Sequence, residues 1–262
     1  MINILIIGYG VVGQNLAKEL EVLSPDILDK YKTDANKTSQ SAKEEGYDLA
    51  FICVNTPFTE DDPCDRTEVW NAIRDNSHLM KDDGVFVIKS TILPGTTDEI
   101  RRQTNQRVVF SPEFYGGTQH CNNFEFDFTI LGGEKEDCLK VVQILQKVYD
   151  GRHTFRITES KLAEIAKYME NSWLATKVSF SKQFFDIAEN HGVAYEELRE
   201  LFILDPRVNP SHTFIYRDHP YWESHCLSKD VPAIAIAEDA DFLKAVIKYN
   251  EDSKEEFLSN KN

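Results

Sequence analysis

The sequence predicts an α/β fold: a doubly wound parallel sheet, then a long connecting helix and a small all-helical domain. Three observations predict it. Short, continuously apolar runs alternate with amphipathic stretches through the first half of the chain, the pattern of a parallel sheet covered on both faces. A glycine-rich turn, Gly8-x-Gly10-x-x-Gly13, joins the first apolar run to the first amphipathic one. Beyond Gly151 the strand signal stops, and from Thr158 to about His191 there is neither proline nor glycine.

In chain order, the expected strands are INILII (2–7), DILD (26–29), LAFICV (49–54), VFVIK (85–89), RVVF (107–110) and DFTIL (127–131). Helices are expected at 11–20, 67–80, 96–104 and 135–148. Right-handed crossovers between such strands leave a doubly wound sheet as the economical topology. In the second half, Leu162, Ile165, Ala166, Met169, Trp173, Val178, Phe184 and Phe185 roughly follow a helical period that Gly192 ends. A helix of that length runs roughly 50 Å, enough to join two domains and carry a dimer contact. A helix over 194–203, a loop rich in aromatics and prolines, and a helix from about 231 follow, with a charged, fraying end. The expected domains are 1–157 and 158–262.

The composition narrows the function. At 262 residues, 41% hydrophobic and 28% charged, the chain reads as a soluble globular protein. A formal charge of -15 disfavours binding along a nucleic-acid backbone. The opening apolar run is too short to span a membrane, no basic segment precedes it, and with no small-residue cleavage site after it a secretory signal is not expected. Five cysteines, Cys53, Cys64, Cys121, Cys138 and Cys226, are odd in number and form no C-x-x-C pair. That disfavours a disulfide framework and a metal site and favours a cytoplasmic setting. Cys53, inside an apolar run, reads as a small core residue.

The glycines have a chemical reading. Following a strand and opening a helix, G-x-G-x-x-G is the Rossmann-type dinucleotide fingerprint: Gly8 makes the turn, Gly10 admits a pyrophosphate, and Gly13 lets helix and strand pack closely. The helix start, with Tyr9, Val11 and Val12, presents free amides to the phosphates. Asp29, ending the second strand, is placed for the ribose diol and favours NAD over NADP, since a carboxylate repels a 2′-phosphate. Lys30 and Lys32 soften that preference without reversing it.

Further stretches fall at the carboxyl ends of expected strands, where ligands bind in open α/β sheets. These are VNTP (54–57), KSTILPGTT (89–97) and SPEF (111–114). Lys167 and Asn171 lie four apart and share a helix face. In ESHCLSKD, Cys226 lies four residues before Asp230 with Lys229 beside it, and a thiolate beside a cation and near a carboxylate suits a covalent nucleophile.

Taken in order, GYGVVG, VNTP, KSTILPG, SPEF, K-x-x-x-N, DPRV and C-L-S-K-D resemble the UDP-glucose/GDP-mannose dehydrogenase family across most of the chain. The resemblance implies oxidation of the C6 alcohol of a nucleotide sugar, UDP-glucose-like, to a uronate with two NAD⁺. By it, Cys226 captures the aldehyde as a thiohemiacetal that becomes a thioester, and Lys167 stabilises the oxyanion. Asn171, Thr91, Asp230 and Glu113 position water, with Asp230 assisting proton transfer. By the same resemblance Phe114, Lys167, Asn171 and Arg207 contact substrate, with Arg207 expected to reach it across a homodimer. Val54, Thr56, Pro57, Ser90 and Thr91 join the glycine turn and Asp29 around NAD.

The sequence departs from the family pattern in several places. PEFYGGTQ lacks a second glutamate, HPYWESHC replaces a glycine-rich lead-in with residues needing more room, and Ser228 stands for a proline. The chain also ends soon after the cysteine motif, so a short form without the family's C-terminal nucleotide-sugar-binding domain is expected. Two other readings fit the residues: a β-hydroxyacid-type two-electron dehydrogenase, which needs no cysteine, and a non-catalytic NAD-binding or regulatory relative.

Overall fold

Side chains of successive strand residues point to opposite faces, and here both faces are apolar. In the computed structural model, which describes residues 2–59, 61–114 and 126–260, a seven-stranded sheet forms from β1 (Ile4–Ile7), β2 (Asp26–Leu28), β3 (Tyr47–Ile52), β4 (Met80–Ile88), β5 (Val108–Phe110), β6 (Phe128–Gly132) and β7 (Thr154–Thr158). Its order is β2-β1-β3-β4-β5-β6-β7. Leu5, Ile7, Ala50, Ile52, Phe86, Ile88, Val108 and Phe110 point to one face. There they pack on α3 (Thr67–Asn76) and α4 (Thr96–Thr104). Ile4, Ile6, Leu49, Phe51, Val85, Val87 and Val109 point to the other, under α1 (Val11–Glu19) and α5 (Lys135–Leu145). Each of the larger side chains among them (Leu, Ile, Val, Phe), fully buried, contributes about 1.5–3 kcal/mol.

The doubly wound sheet is as expected, with differences of detail. β5 and β6 pair antiparallel, through Phe110 and Gly132, while the other neighbouring strands run parallel. β4 starts at Met80, earlier than its apolar run, with a register shift opposite Tyr47 and Leu49. β7 takes residues that carried no strand signal, and a short helix α2 (Gln40–Glu45) precedes β3.

The long helix α6 spans Ser160–Asn190. The chain divides into two compact units within it: residues up to Lys167 group with the sheet, and Tyr168 onward form the second unit. That second unit adds α7 (Tyr195–Phe202), α8 (Leu227–Ala237) and α9 (Asp241–Ser259). Its core gathers Ala175, Trp222, Leu227, Val231 and Val246. The charged tail expected to fray is helical through Ser259. Trp222 and Tyr221, expected to demand room, are buried.

The glycine turn is held by close approach. Gly8 has φ +95°, and a Cβ there would lie 2.6 Å from the Cys53 carbonyl oxygen. A Cβ on Gly13 would stand 2.0 Å from the Gly8 carbonyl oxygen. Gly13→Ala is therefore expected to cost about 2 kcal/mol or more and to lower Tm by about 5 °C or more. Thermal unfolding followed by circular dichroism checks this, and an unchanged Tm contradicts it.

Candidate active site

The first five strands all deliver residues to one edge of the sheet, at their carboxyl ends. Gly8 leaves β1 and donates its N–H to the Leu28 carbonyl at 2.9 Å, tying the turn to β2. Gly10 N-caps α1, and a Cβ built there meets nothing within 4 Å. Asp29 follows β2. Its Oδ2 accepts the Tyr9 N–H at 2.5 Å, and its Oδ1 accepts those of Tyr31 and Lys32 at 2.8 and 2.6 Å. Of about four acceptor sites on a carboxylate, this leaves one, on Oδ2. Burial works to raise the Asp29 pKa, but these amides and the nearby Lys32 ammonium outweigh it and hold the carboxyl below its usual range. Lys30 is paired with Glu68 at 3.1 Å, and Lys32 donates to the Tyr9 carbonyl at 2.9 Å. Tyr9 itself and Val12 are half-buried, and Val11 is exposed at the helix start.

The loops after β3 and β4 are stitched together. Ser90 donates to the Val54 carbonyl at 2.6 Å, and Thr56 donates to the Thr91 carbonyl at 2.9 Å. The Pro57 carbonyl accepts the Asp65 N–H at 3.0 Å, fixing the approach to α3. Cys53 sits just past β3, half-buried rather than in the core proper, and burial pushes its thiol pKa far up.

After β5, Glu113 forms a buried ion pair with Lys89, which also donates to Ser111 at 3.1 Å. Burial pushes the Glu113 carboxyl up, against the pull of the Lys89 ammonium. Phe114 stacks toward Phe128, with ring centroids 5.2 Å apart, and the Lys167 ammonium lies 4.9 Å from its ring centre. Thus Lys167 and Phe114, both expected at the substrate, meet in the first unit.

Two residues that sequence reasoning passed over are structurally prominent here. Lys89 is one, at the end of the VFVIK run. The other is Glu164, fully buried, whose carboxylate accepts the Gly95 and Thr97 N–H groups and the Thr97 hydroxyl. It clasps the first turn of α4 three residues before Lys167. A buried glutamate at a helix N-terminus is stabilised by dipole and amides, although burial still pushes its pKa up.

In the second unit, Asn171 donates to Asp230 at 2.6 Å, and Lys229 pairs with the other Asp230 oxygen at 2.5 Å. Asp230 is 1% exposed. Cys226 is exposed and already helical in φ and ψ. Ser224 accepts the Leu227 N–H at 3.0 Å, so it acts as the effective cap. That puts Cys226 in the first turn, where amides and dipole favour an anion. Asp230 donates its N–H to the Cys226 carbonyl at 2.8 Å, one turn on. Arg207 is not drawn into this group: its side chain is 88% exposed and its partner is Asp205. Cys121 and the YGGTQ stretch after Phe114 lie outside the described residues. Among the described residues, no helix is long and apolar enough to cross a membrane, and no cluster of His, Cys, Asp and Glu suits a metal.

An open, mostly parallel sheet of order 2-1-3-4-5 places its switch point between β1 and β3, where the glycine turn opens with Asp29 beside it. Those features define a dinucleotide-binding protein. Residues 20–153 match the NAD binding domain of the UDP-glucose/GDP-mannose dehydrogenase family, and residues 161–252 match its central domain. The chain belongs to that family of NAD-dependent nucleotide-sugar dehydrogenases, and NAD is the cofactor of its first unit.

The chain is 29% identical over 243 residues to the UDP-N-acetyl-D-mannosamine dehydrogenase of Methanocaldococcus jannaschii, covering 85% of this chain and 55% of that protein. It is 29% identical over 216 residues to the UDP-glucose 6-dehydrogenase of Rickettsia prowazekii, covering 78% and 49%. It thus spans about half the length of these relatives. The solved UDP-D-ManNAc dehydrogenase of Pyrococcus horikoshii shares the fold, with TM-score 0.79 at 22% identity, over 95% of this chain and 68% of that one.

With one free acceptor site at Asp29, NAD⁺ is expected to bind more tightly than NADP⁺. Asp29→Ala removes a charged acceptor worth about 1.5–3 kcal/mol, so NAD⁺ affinity falls about tenfold or more and the preference narrows. Calorimetric titration with both cofactors checks this, and equal wild-type affinities contradict it.

Proposed function

We propose that this chain oxidises the C6 alcohol of a UDP-sugar to the uronate with two NAD⁺, through a covalent adduct on Cys226. The observation that carries the reading is the group in the second unit: an exposed cysteine in the first turn of a helix, one turn from a buried aspartate clasped by Asn171.

The chemistry follows from these residue types. The C6 alcohol loses a proton and a hydride, the hydride to the first NAD⁺, to give the aldehyde. The thiolate adds to the aldehyde carbon, and the oxyanion takes up a proton to give a thiohemiacetal. Loss of that proton and of a second hydride to the second NAD⁺ gives a thioester, which water hydrolyses to the carboxylate and the thiol. Asp230, held as an acceptor by Asn171 and Lys229, assists proton transfer to and from water. The fixed charge of Lys167 stabilises the oxyanion, and Thr91, Asn171 and Glu113 position water. Relatives named for UDP-glucose and for UDP-N-acetyl-D-mannosamine both support a UDP-sugar substrate. Phe114 and Arg207 are the further substrate contacts in this reading.

A homodimer through α6 belongs to the same proposal. On the second-unit part of α6, Met169, Trp173, Phe180, Phe184 and Ile187 are exposed at helical spacing, Met169 at 74% and Trp173 at 59%. A contiguous apolar stripe of this kind marks an interaction surface.

Incubation of the chain with NAD⁺ and a panel of UDP-sugars is expected to yield two NADH per uronate formed. One NADH per carbonyl product, or none with any sugar, overturns the reading. Cys226→Ser is expected to abolish acid formation, and full acid-forming activity in that variant rules out the covalent route. Sedimentation equilibrium at micromolar concentration is expected to give a dimer that Trp173→Glu dissociates; a monomeric wild type contradicts the α6 interface.

A further inference from the structure

A nucleophile at an exposed helix start has to be reachable and also fixed, since small misplacements are costly at the reacting centre. Cys226 is exposed, yet the chain leading to it is anchored at Trp222 by three buried hydrogen bonds. Four residues upstream, Trp222 has both backbone polar groups satisfied by one side chain. Its N–H donates to Asn250 Oδ1 at 2.8 Å, and its carbonyl accepts from Asn250 Nδ2 at 3.0 Å. The indole N–H donates to Ser179 Oγ of α6 at 3.0 Å. Trp222, Asn250 and Ser179 are 6%, 7% and 8% exposed, so these bonds are shielded from water.

The neighbours extend the clamp. Lys254 of α9 pairs with Glu223 at 2.5 Å, and Tyr221 packs edge-on against Phe257 with centroids 6.0 Å apart. Ser224 then caps the helix that begins at Cys226. The hold on Trp222 runs into the same core that carries Leu227 and Val231, on either side of Asp230.

We infer that Trp222 and Asn250 are positioning residues for Cys226. Asn250 locks the backbone of Trp222 to α9, and the indole locks it to α6. The capped turn that follows then presents the thiol at the helix start. This inference rests on Cys226 being the nucleophile of the proposed reaction.

Its test has two arms, read on the full chain with folding checked by circular dichroism. In the first, the pH dependence of Cys226 alkylation by iodoacetamide is followed by peptide mass spectrometry, with Cys53, Cys64 and Cys138 as internal references. Asn250→Ala is expected to displace Cys226 from its helix start, slowing alkylation at neutral pH about threefold and moving the profile to higher pH. The references stay unchanged. Trp222→Phe, which keeps an aromatic core but loses the indole N–H, is expected to shift the profile in the same direction by less. It also carries this arm if Asn250→Ala does not fold. An unchanged profile in the folded variant overturns the inference, as does an equal change at Cys226 and at the three reference cysteines. In the second arm, kcat for UDP-sugar oxidation is expected to fall about tenfold or more while KM for NAD⁺ holds. An undiminished kcat overturns the inference. If the wild type oxidises no UDP-sugar, the proposed function fails, and the alkylation arm still decides whether Trp222 and Asn250 position the thiol.

Discussion

The first unit depends on backbone lying against backbone where β1 turns into α1. Gly8 rests on the Cys53 carbonyl and Gly13 on the Gly8 carbonyl, at separations no side chain tolerates. Because the turn is pressed onto β3, the start of α1 and the loop after β3 face the same space. The loops after β3 and β4 are then joined by hydroxyl-to-carbonyl bonds from Ser90 and Thr56. The ligand-binding edge is thus a consequence of packing at two glycines, carried outward by two hydroxyls.

The central sheet was legible in the sequence because its strands are buried on both faces and read as uninterrupted apolar runs. β7 escaped notice because TFRIT alternates with charge and Thr154 and Arg156 are exposed, as befits an edge strand. The antiparallel step between β5 and β6 is invisible to apolar patterning, which is the same for either strand direction. The long helix was legible from a stretch free of glycine and proline, to within two residues at its start.

At the site, the motifs marked positions but not partners. Lys89 opens the KSTILPGTT stretch with no partner in view until Glu113, further along the chain, closes on it. Glu164 carries no signal of its own until the first turn of α4 is packed against it. Trp222 reads as an intrusion before the cysteine, and only Asn250, 28 positions later, reveals its backbone as anchored. In each case the missing information was a long-range contact between residues that are unremarkable alone. At Lys89 and Glu164 electrostatics decides the outcome, since a buried charge persists only where partners compensate for its lost hydration.

The carboxylate of Asp29 has a consequence for how cofactor preference can evolve. Three of its acceptor sites are filled by the amides of Tyr9, Tyr31 and Lys32, so the group expected to discriminate at the ribose also braces the turn carrying Gly8 and Gly10. The expected selectivity and the scaffold share one side chain. A lineage drifting toward a phosphorylated ribose would have to find new anchors for those amides before it could surrender the acid. On that footing, a change of cofactor preference at this position calls for compensating changes in the turn that Asp29 braces.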